Sequence, residues 1–219
     1  MTAFATPIRI GVLGAARIVP AALIHPARLV AGVEVTTIAA RDPARAQRFA
    51  AAHGIPRTHA TYADVIADPD VDAVYIPLPN SLHHRWTLAA LETGKHVLCE
   101  KPLAANAAEA AQTARAAEQA GLVSMEAFHY RYHPLAARMK AIIDSGELGT
   151  VRRIETRVCF PLLRRNDIRF RYDLAGGALM DAGCYAIHMA RFLAGAEPEV
   201  VAAQAHLRSE QVDRRVLAT

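Results

Sequence analysis

Cysteine is scarce in this chain of 219 residues, which contains three: Cys99, Cys159 and Cys184. The number is odd, and none of the three has the C-x-x-C spacing of a redox or zinc motif. Two of them lie inside apolar segments, which predicts reduced thiols in a core. These features exclude a small domain held together by disulfides and favour a cytoplasmic protein.

Long apolar runs and clusters of one charge are also missing. No stretch approaches the ~18 uninterrupted apolar residues of a transmembrane helix, and residues 1–7 lack the basic segment of an export signal. The 25 Lys and Arg residues against 21 Asp and Glu give a net charge of +4, but the arginines are not interleaved with aromatics. We therefore expect no membrane and no nucleic-acid partner. A small positive excess also suits a phosphate-bearing cofactor.

The first half of the chain alternates strand-like and helix-like segments. With 53% hydrophobic residues, it has ample material for a core. Residues 8–14, 33–40, 72–77 and 96–99 have the apolar composition of buried strands, and helices are predicted from 43, over 81–93 and over 106–121. This alternation predicts βαβ units, and hence an α/β fold with a Rossmann-type, doubly wound parallel sheet.

The regular alternation of strand-like and helix-like segments ends after residue 122. We place a domain boundary there, between 1–122 and 123–219. The second part is predicted to contain strands at 123–126, 151–160 and 200–207, helices at 134–144 and 178–193, and a polar tail. Arginines alternate with apolar residues over 151–160, which indicates an antiparallel strand with one wet face. The second domain is therefore predicted to be α+β.

A glycine turn follows the first predicted strand. Against the dinucleotide fingerprint G-x-G-x-x-G, Gly14 fills the first place, but Ala16 and Val19 occupy the second and third. A strand, a turn and a helix in that order can bind a pyrophosphate on backbone N–H groups. The alternative is an ordinary strand-to-helix turn.

The end of the second predicted strand bears on which dinucleotide could bind. A carboxylate there would bind the ribose 2′-hydroxyl, but this chain has Ala40 followed by Arg41. A guanidinium can accept a 2′-phosphate, so NADP is preferred and NAD is the second choice. The alternative is a surface arginine beside the helix cap Asp42.

A Glu100-Lys101-Pro102 sequence follows the predicted strand at 96–99. Because the carboxyl ends of parallel strands face the ligand crevice, Glu100 and Lys101 are expected at its lip. Pro102 biases Lys101 towards an extended conformation. The alternative is a solvated Glu-Lys turn.

Three hydrogen-bonding side chains, Asp181, Tyr185 and His188, share one face of the last predicted helix. Oxidation of an alcohol needs a base for the hydroxyl proton while hydride leaves, and a phenol beside a lysine ammonium can serve. Asp181 would orient the substrate hydroxyl or the lysine. The alternative is a core helix in which Tyr185 is satisfied locally.

Metal binding is not expected. His129 and His133 have the spacing of metal ligands on a helix, but no third ligand is evident. His83 and His84 are adjacent and would face different ways.

The chain resembles the Gfo/Idh/MocA family of nicotinamide-dependent sugar oxidoreductases over essentially its whole length. The matching stretches are residues 11–18, 75–84, 100–102, 126–134 and 176–185. The Glu-Lys-Pro motif in register with the helix from Asp181 to Tyr185 is the most specific part of the match. Within the family, the chain is similar to the branch of NADP-dependent D-xylose dehydrogenases and dimeric dihydrodiol dehydrogenases.

The resemblance implies an oxidoreductase that transfers hydride between NADP and a sugar or diol, in particular at the anomeric hydroxyl of an aldose. It implies Lys101 and Tyr185 as the catalytic pair and Asp181 as a substrate-site residue, without a metal. The residues that it implies at the cofactor are Gly14, Ala15, Ala16, Arg17, Ile18, Arg41, Pro79, Asn80, His83, Glu100 and Lys101.

The chain departs from the family in length. Relatives continue into a broad, mostly antiparallel sheet that carries the substrate wall and the dimer surface, whereas this chain stops after an early strand. It would form a homodimer or higher oligomer if that sheet were complete. The alternatives are a non-catalytic NAD(P)- or sugar-binding regulatory protein of the same fold, or an inactive fragment.

Overall fold

The computed structural model describes residues 6–164 and 166–219. Contacts within the chain divide it into two compact units, Met1–Ala127 and Phe128–Thr219.

The first unit is built on a six-stranded parallel sheet with the strand order β3-β2-β1-β4-β5-β6. The strands are β1 Ile8–Leu13, β2 Val33–Ala39, β3 Arg57–Thr58, β4 Ala73–Ile76, β5 His96–Cys99 and β6 Ser124–Glu126. The order reverses between β1 and β4, which pair directly. The structure thus confirms the predicted doubly wound α/β fold, whose ligand crevice lies at such a reversal point.

Several helices of this unit begin at a residue whose side chain caps them. The helices of the unit are α1 His25–Ala27, α2 Pro43–His53, α3 Tyr62–Ala67, α4 His83–Glu92 and α5 Ala107–Ala120, and a π-helical segment, Pro20–Ile24, runs into α1. Asp42 caps α2 by accepting from the N–H of Ala44, and Asn106 caps α5 by accepting from Glu109. Across the described ranges, no helix is long and apolar enough to cross a membrane.

Two hydrophobic clusters cover the sheet. One contains Leu13, Val74 and Ile76, and the other contains Val12, Ile38 and Tyr75. Neighbouring residues of β1 and β4 thus enter different clusters, because successive side chains of a strand point to opposite faces. A sheet buried on both faces leaves its strand ends as the places where polar side chains can collect.

The strand β6 lies in the first unit. It pairs in parallel with β5, from Val97 opposite Ser124 to Cys99 opposite Glu126. The boundary predicted at 122 assigned this strand to the second domain, whereas the division between the compact units falls after it. The strand belongs to the first unit because it pairs in parallel with β5. The pattern of strand-like and helix-like segments in the sequence does not reveal that pairing.

The described part of the second unit contains helices and one hairpin. Its elements are the 3₁₀ segments His129–Tyr132, Ile168–Phe170 and Tyr172–Leu174, the helices α6 Pro134–Asp144 and α7 Cys184–Ala194, a π-helical segment Leu179–Gly183 before α7, and the strands β7 Ala203–Ser209 and β8 Val212–Ala218. The two strands are antiparallel. The polar tail predicted after residue 207 is therefore wrong in part, because β8 pairs with β7 across a tight turn.

The strand predicted over 151–160 does not form. Ile154, Thr156 and Val158 are half-buried and the residues between them are exposed, so the burial has the expected period of two. However, the segment pairs with none of the strands in the described part of the chain. Alternation predicts an extended backbone with two unlike faces, and a strand also needs a pairing partner.

Charged side chains hold the loop before β4. The backbone N–H, Nε and Nη2 of Arg9 donate to the carboxylate of Asp72 at 2.8 to 3.0 Å, and Nη1 reaches Asp70 at 2.8 Å. The hydrogen bonds from Arg9 lower the pKa of Asp72 to about 2, against the opposing effect of burial. This network fixes the entry into the strand that leads to the candidate site.

The network predicts an acid-sensitive contribution to stability. Because the pKa of Asp72 is about 2 in the folded protein and about 3.9 in an unfolded chain, its contribution is present above the unfolded value and is lost as the pH falls towards 2. Urea unfolding followed by Trp86 fluorescence should show a higher midpoint for the wild type than for Asp72→Asn at pH 6. That margin should narrow below about pH 4, and a margin that does not change with pH would contradict the assignment.

Candidate active site

The turn after β1 is shaped by Gly14. Its φ of +121° lies in a region that residues with a Cβ rarely adopt, and a Cβ built there would lie 2.9 Å from Cδ2 of Leu78. The N–H of Gly14 donates to the carbonyl of Ala39 at 2.8 Å, which joins the turn to the end of β2. The backbone of the turn therefore lies close to Ala39 at the end of β2 and to Leu78 after β4. The space beside Gly14, which a side chain would fill, forms an open backbone cradle.

Exposed and basic side chains border this turn. Ala15 is buried and Ala16 is half-buried, whereas Arg17 and Ile18 are exposed. Arg41, directly after β2 and Ala40, is also exposed at the carboxyl edge of the sheet. The turn and the guanidinium of Arg41 are thus accessible to a phosphate-bearing ligand.

Sequence reasoning missed one residue that supports the turn. Arg45, in the first turn of α2, donates from Nη2 to the carbonyl of Ala15 at 2.6 Å. A carbonyl held by a guanidinium orients the peptide unit of the turn. The only sequence signal was an arginine near the start of the second helix, which is common on helix surfaces.

The loop after β4 leads from Leu78 and Pro79 into a short 3₁₀ segment, Asn80–Leu82. Pro79 and Asn80 are half-buried at the edge of the unit. The family resemblance implies that His83 lines the cofactor. Its exposure is 0%, so in this structure the side chain lies inside the unit, beneath the loop that begins at Leu78. The reason is that His83 begins α4 on the helix face that packs into the unit.

His83 joins two loops of the site. Its Nδ1 lies 2.6 Å from the carbonyl oxygen of Pro102, and its Nε2 lies 2.8 Å from that of Leu78. Burial lowers the pKa of His83, although both carbonyl contacts favour the charged form. A neutral imidazole has one N–H, so it can donate to one carbonyl at a time. His83 therefore links the loop that carries Asn80 to the segment that carries Lys101.

Glu100 and Lys101 lie directly after β5. The hydroxyl of Tyr75, a buried residue of β4, donates to Oε1 of Glu100 at 2.6 Å, and Oε1 of Glu126 accepts from the N–H of Leu103 at 2.8 Å. Lys101 is half-buried, and its peptide bond to Pro102 is cis. The Lys101 turn is thus tied to the ends of β4 and β6.

The sheet brings one group of the predicted residues together. Because β1, β4 and β5 are parallel neighbours, the turn at Gly14, the loop at Pro79 and Asn80 and the turn at Glu100 and Lys101 follow the same edge of the sheet. An open backbone cradle with basic side chains beside it fits the phosphates of a dinucleotide. Asp181 and Tyr185 belong to the second unit.

Asp181 lies in the π-helical segment before α7 and is paired. Its Oδ2 accepts from Nε of Arg169 at 2.6 Å, and Nη1 of Arg169 reaches Asp167 at 3.2 Å. Burial opposes the charge on Arg169, but Asp181 and Asp167 together raise the pKa of that guanidinium. Asp181 is thus held as a carboxylate partner of an arginine, a contact that the sequence spacing does not show.

A second aspartate fixes the start of the same helical segment. Asp213, in β8, accepts from the N–H of Leu179 at 2.8 Å, and a Cβ on Gly177 would lie 2.2 Å from its Oδ1. Gly177 therefore permits a close approach of the hairpin to the helical segment, whereas a Cβ on Gly176 would meet the backbone carbonyl oxygens of Arg169 and Arg171. Asp213 was assigned to a polar tail and was missed.

Tyr185, in the first turn of α7, lies among aromatic rings. The ring centroids of Phe128, His129 and Tyr130 are 5.4, 5.9 and 6.2 Å from that of Tyr185. The phenol is half-buried, and aromatic rings at these separations attract one another. The cluster restricts the orientation of the Tyr185 ring.

No group of three or more metal-ligating side chains occurs within the described ranges. His133 instead caps α6, since its Nδ1 accepts from the N–H of Leu135 at 3.1 Å.

Two family models match the chain. The model of the Gfo/Idh/MocA oxidoreductase family, with an NAD-binding Rossmann fold, matches residues 8–128. The model of the Gfo/Idh/MocA C-terminal domain matches residues 136–219.

Named relatives fall in the branch that the sequence resembles. A D-xylose 1-dehydrogenase (NADP(+)) of Haloferax volcanii is 45% identical over 207 residues, which cover 94% of this chain and 63% of that protein. A trans-1,2-dihydrobenzene-1,2-diol dehydrogenase of Xenopus laevis is 33% identical over 84% of this chain and 56% of its own length. The chain thus spans less than two thirds of the length of these relatives.

The crystal structure of a 3-ketoreductase from Actinomadura kijaniata, in complex with NADP and TDP-benzene, is also similar. It superposes with a TM-score of 0.91 at 37% identity, over 97% of this chain and 66% of that chain.

The two contacts of His83 predict a loss of stability on its removal. His83→Ala removes the imidazole between the carbonyls of Leu78 and Pro102, leaves one of them without its N–H donor and opens a cavity, so the free energy of unfolding should fall by about 2–4 kcal/mol. The matched control is His84→Ala, which breaks one hydrogen bond to Thr113 and should cost about 1 kcal/mol. Trp86 in α4 reports urea unfolding of this unit, and equal losses for the two variants would show that His83 has no special role.

Proposed function

The chain belongs to the Gfo/Idh/MocA oxidoreductase family, and on that premise we propose that it transfers hydride between NADP and a sugar or diol. The observation that carries the proposal is the shared sheet edge, where the open turn at Gly14, the loop at Asn80 and the turn at Lys101 follow neighbouring parallel strands. That edge offers a dinucleotide both a phosphate cradle and a lysine ammonium.

The residues proposed to hold the cofactor are those of the first unit. The backbone of the turn from Gly14 to Ile18 binds the pyrophosphate, and Arg41 binds a 2′-phosphate. Pro79, Asn80, Glu100 and Lys101 border the nicotinamide. When bound, the cofactor accepts or donates the hydride.

The proton of the reaction is assigned to Tyr185. During oxidation, the phenolate oxygen of Tyr185 accepts the proton of the substrate hydroxyl, and in the reverse direction the phenol returns it. The ammonium of Lys101 stabilises the negative charge that develops on oxygen. Asp181, held by Arg169, accepts a hydrogen bond from a neighbouring substrate hydroxyl and so orients the sugar.

The similar proteins support two substrate classes, aldoses and nucleotide-linked keto sugars. The relation to a D-xylose 1-dehydrogenase supports oxidation of an aldose at the anomeric hydroxyl. The relation to a ketoreductase crystallised with TDP-benzene supports reduction of a nucleotide-linked keto sugar. Acidic and basic residues balance in Met1–Ala127, so the whole net charge of +4 lies in Phe128–Thr219. Because a nucleotide-linked sugar carries negatively charged phosphates, the positive charge of the second unit favours this substrate class.

The second unit is proposed to be the part that binds substrate and forms a homodimer or higher oligomer, in a cytoplasmic protein. The match of residues 136–219 to the family's C-terminal domain supports substrate binding by this unit. The odd number of cysteines, without C-x-x-C spacing, supports the cytoplasmic assignment.

Hydride transfer is expected as a change in absorbance of the nicotinamide band. NADP with a panel of aldopentoses and diols should yield NADPH, or NADPH should be consumed with nucleotide-linked keto sugars. Tyr185→Phe should lower kcat by about 10²–10⁴ because it removes the proton acceptor, and Lys101→Met should lower kcat to a similar extent. Both variants should still bind NADPH by fluorescence. Binding without turnover on any substrate would favour the non-catalytic alternative.

The preference for NADP is expected to depend on Arg41. Arg41→Ala removes the proposed partner of the 2′-phosphate, so the dissociation constant for NADPH should rise by about 10–100-fold while that for NADH stays unchanged. The matched control is Arg48→Ala on α2, whose guanidinium lies 3.8 Å from Asp42 and which should affect neither constant. Equal effects of Arg41→Ala on both cofactors would exclude this role.

A further inference from the structure

A short hydrogen bond joins two residues beside Tyr185. The hydroxyl of Tyr130, in the 3₁₀ segment His129–Tyr132, lies 2.5 Å from Nδ1 of His188 on α7. His188 follows Tyr185 by three residues, so the two side chains project from the same face of the helix. The bond therefore connects the segment that carries Tyr130 to the helix face that carries Tyr185.

The surroundings of His188 favour its neutral form. Burial lowers the pKa of His188, and the nearby guanidinium groups of Arg131 and Arg191 lower it further. A neutral imidazole carries one N–H, so Nδ1 either accepts from the hydroxyl of Tyr130 or donates to its oxygen, depending on the tautomer. Burial also raises the pKa of the Tyr130 phenol, which favours its protonated form.

Phe128 transmits the position of His188 to Tyr185. The rings of His188 and Phe128 are stacked, with centroids 4.1 Å apart at 25°. The Phe128 ring also meets that of Tyr185, nearly edge-on, at 5.4 Å and 80°. Tyr130 touches the same cluster, since its ring lies 6.2 Å from that of Tyr185. Movement of either hydrogen-bonded partner would thus change the walls around the Tyr185 ring.

We propose that Tyr130 and His188 are positioning residues, which hold the phenol of Tyr185 in its reactive orientation through their hydrogen bond and the Phe128 ring. The inference rests on the proposed function, because it gives Tyr185 the proton transfer. Neither residue transfers the substrate proton. The pair restricts the rotation of the ring, and precise placement of a proton acceptor contributes to kcat more than to substrate binding.

The test compares Tyr130→Phe and His188→Leu with a matched control from the same segment. Tyr132→Phe also removes one hydroxyl, but Tyr132 is 62% exposed and should behave as the wild type. Tyr130→Phe and His188→Leu should each lower kcat by about tenfold, with KM and the NADPH dissociation constant changed less than about twofold. Since they break the same bond, the double variant should be no slower than the slower single variant.

Nuclear magnetic resonance supplies a readout besides activity. In protein with ¹³C-labelled tyrosine, the ring signals of Tyr185 are identified by their loss in Tyr185→Phe. They should shift in Tyr130→Phe and His188→Leu and stay in place in Tyr132→Phe. His188→Asn keeps an amide group, which can accept or donate a hydrogen bond, near the position of Nδ1, so it should retain more of the wild-type kcat than His188→Leu.

The outcomes separate the two proposals. If Tyr185→Phe keeps the wild-type kcat, the assignment of the proton transfer to Tyr185 fails. If Tyr185→Phe is inactive while Tyr130→Phe keeps the wild-type kcat and unshifted Tyr185 signals, only the positioning role is overturned. Where turnover is too slow to measure, Tyr185 signals that are identical in the wild type, Tyr130→Phe and His188→Leu overturn it.

Discussion

Parallel pairing of β4 with its two neighbours, β1 and β5, is the constraint on which the candidate cofactor edge depends. It aligns three strand ends, so three loops that are far apart in the chain follow one edge of the sheet. Both faces of the sheet are covered by hydrophobic clusters, which leaves this edge as the place for polar chemistry. The turn at Gly14 and the turn at Lys101 lie at one edge only because of this pairing.

Polar side chains then fix the loops at the ends of the strands. Arg45 holds the carbonyl of Ala15, Tyr75 holds Glu100, and His83 lies between the carbonyls of Leu78 and Pro102. Each supporting group is anchored on a helix or a strand. Such anchoring matters because a site on loops alone would lose the precision that the proposed hydride transfer requires. The aromatic cluster around Tyr185 supplies a comparable support in the second unit.

Prediction from sequence succeeded where local chemistry decides the structure. The Asp42 and Asn106 caps, the parallel strands and the glycine turn all follow from composition, spacing and capping preferences. It failed where pairing decides: β6 belongs to the first sheet, residues 151–160 remain unpaired, and β8 lies in the predicted tail. Hydrogen-bonding partners in a sheet come from other parts of the chain, and period-two alternation does not identify them.

The amino-acid sequence by itself determined the α/β class, the family resemblance and the residue types at the Lys101 and Tyr185 motifs, because these depend on local pattern and composition. Only the tertiary structure decided what surrounds them. It buried His83, paired Asp181 with Arg169 and joined Tyr130 to His188. These contacts link residues that are distant in the chain, and their geometry arises from packing in three dimensions, which no short motif encodes.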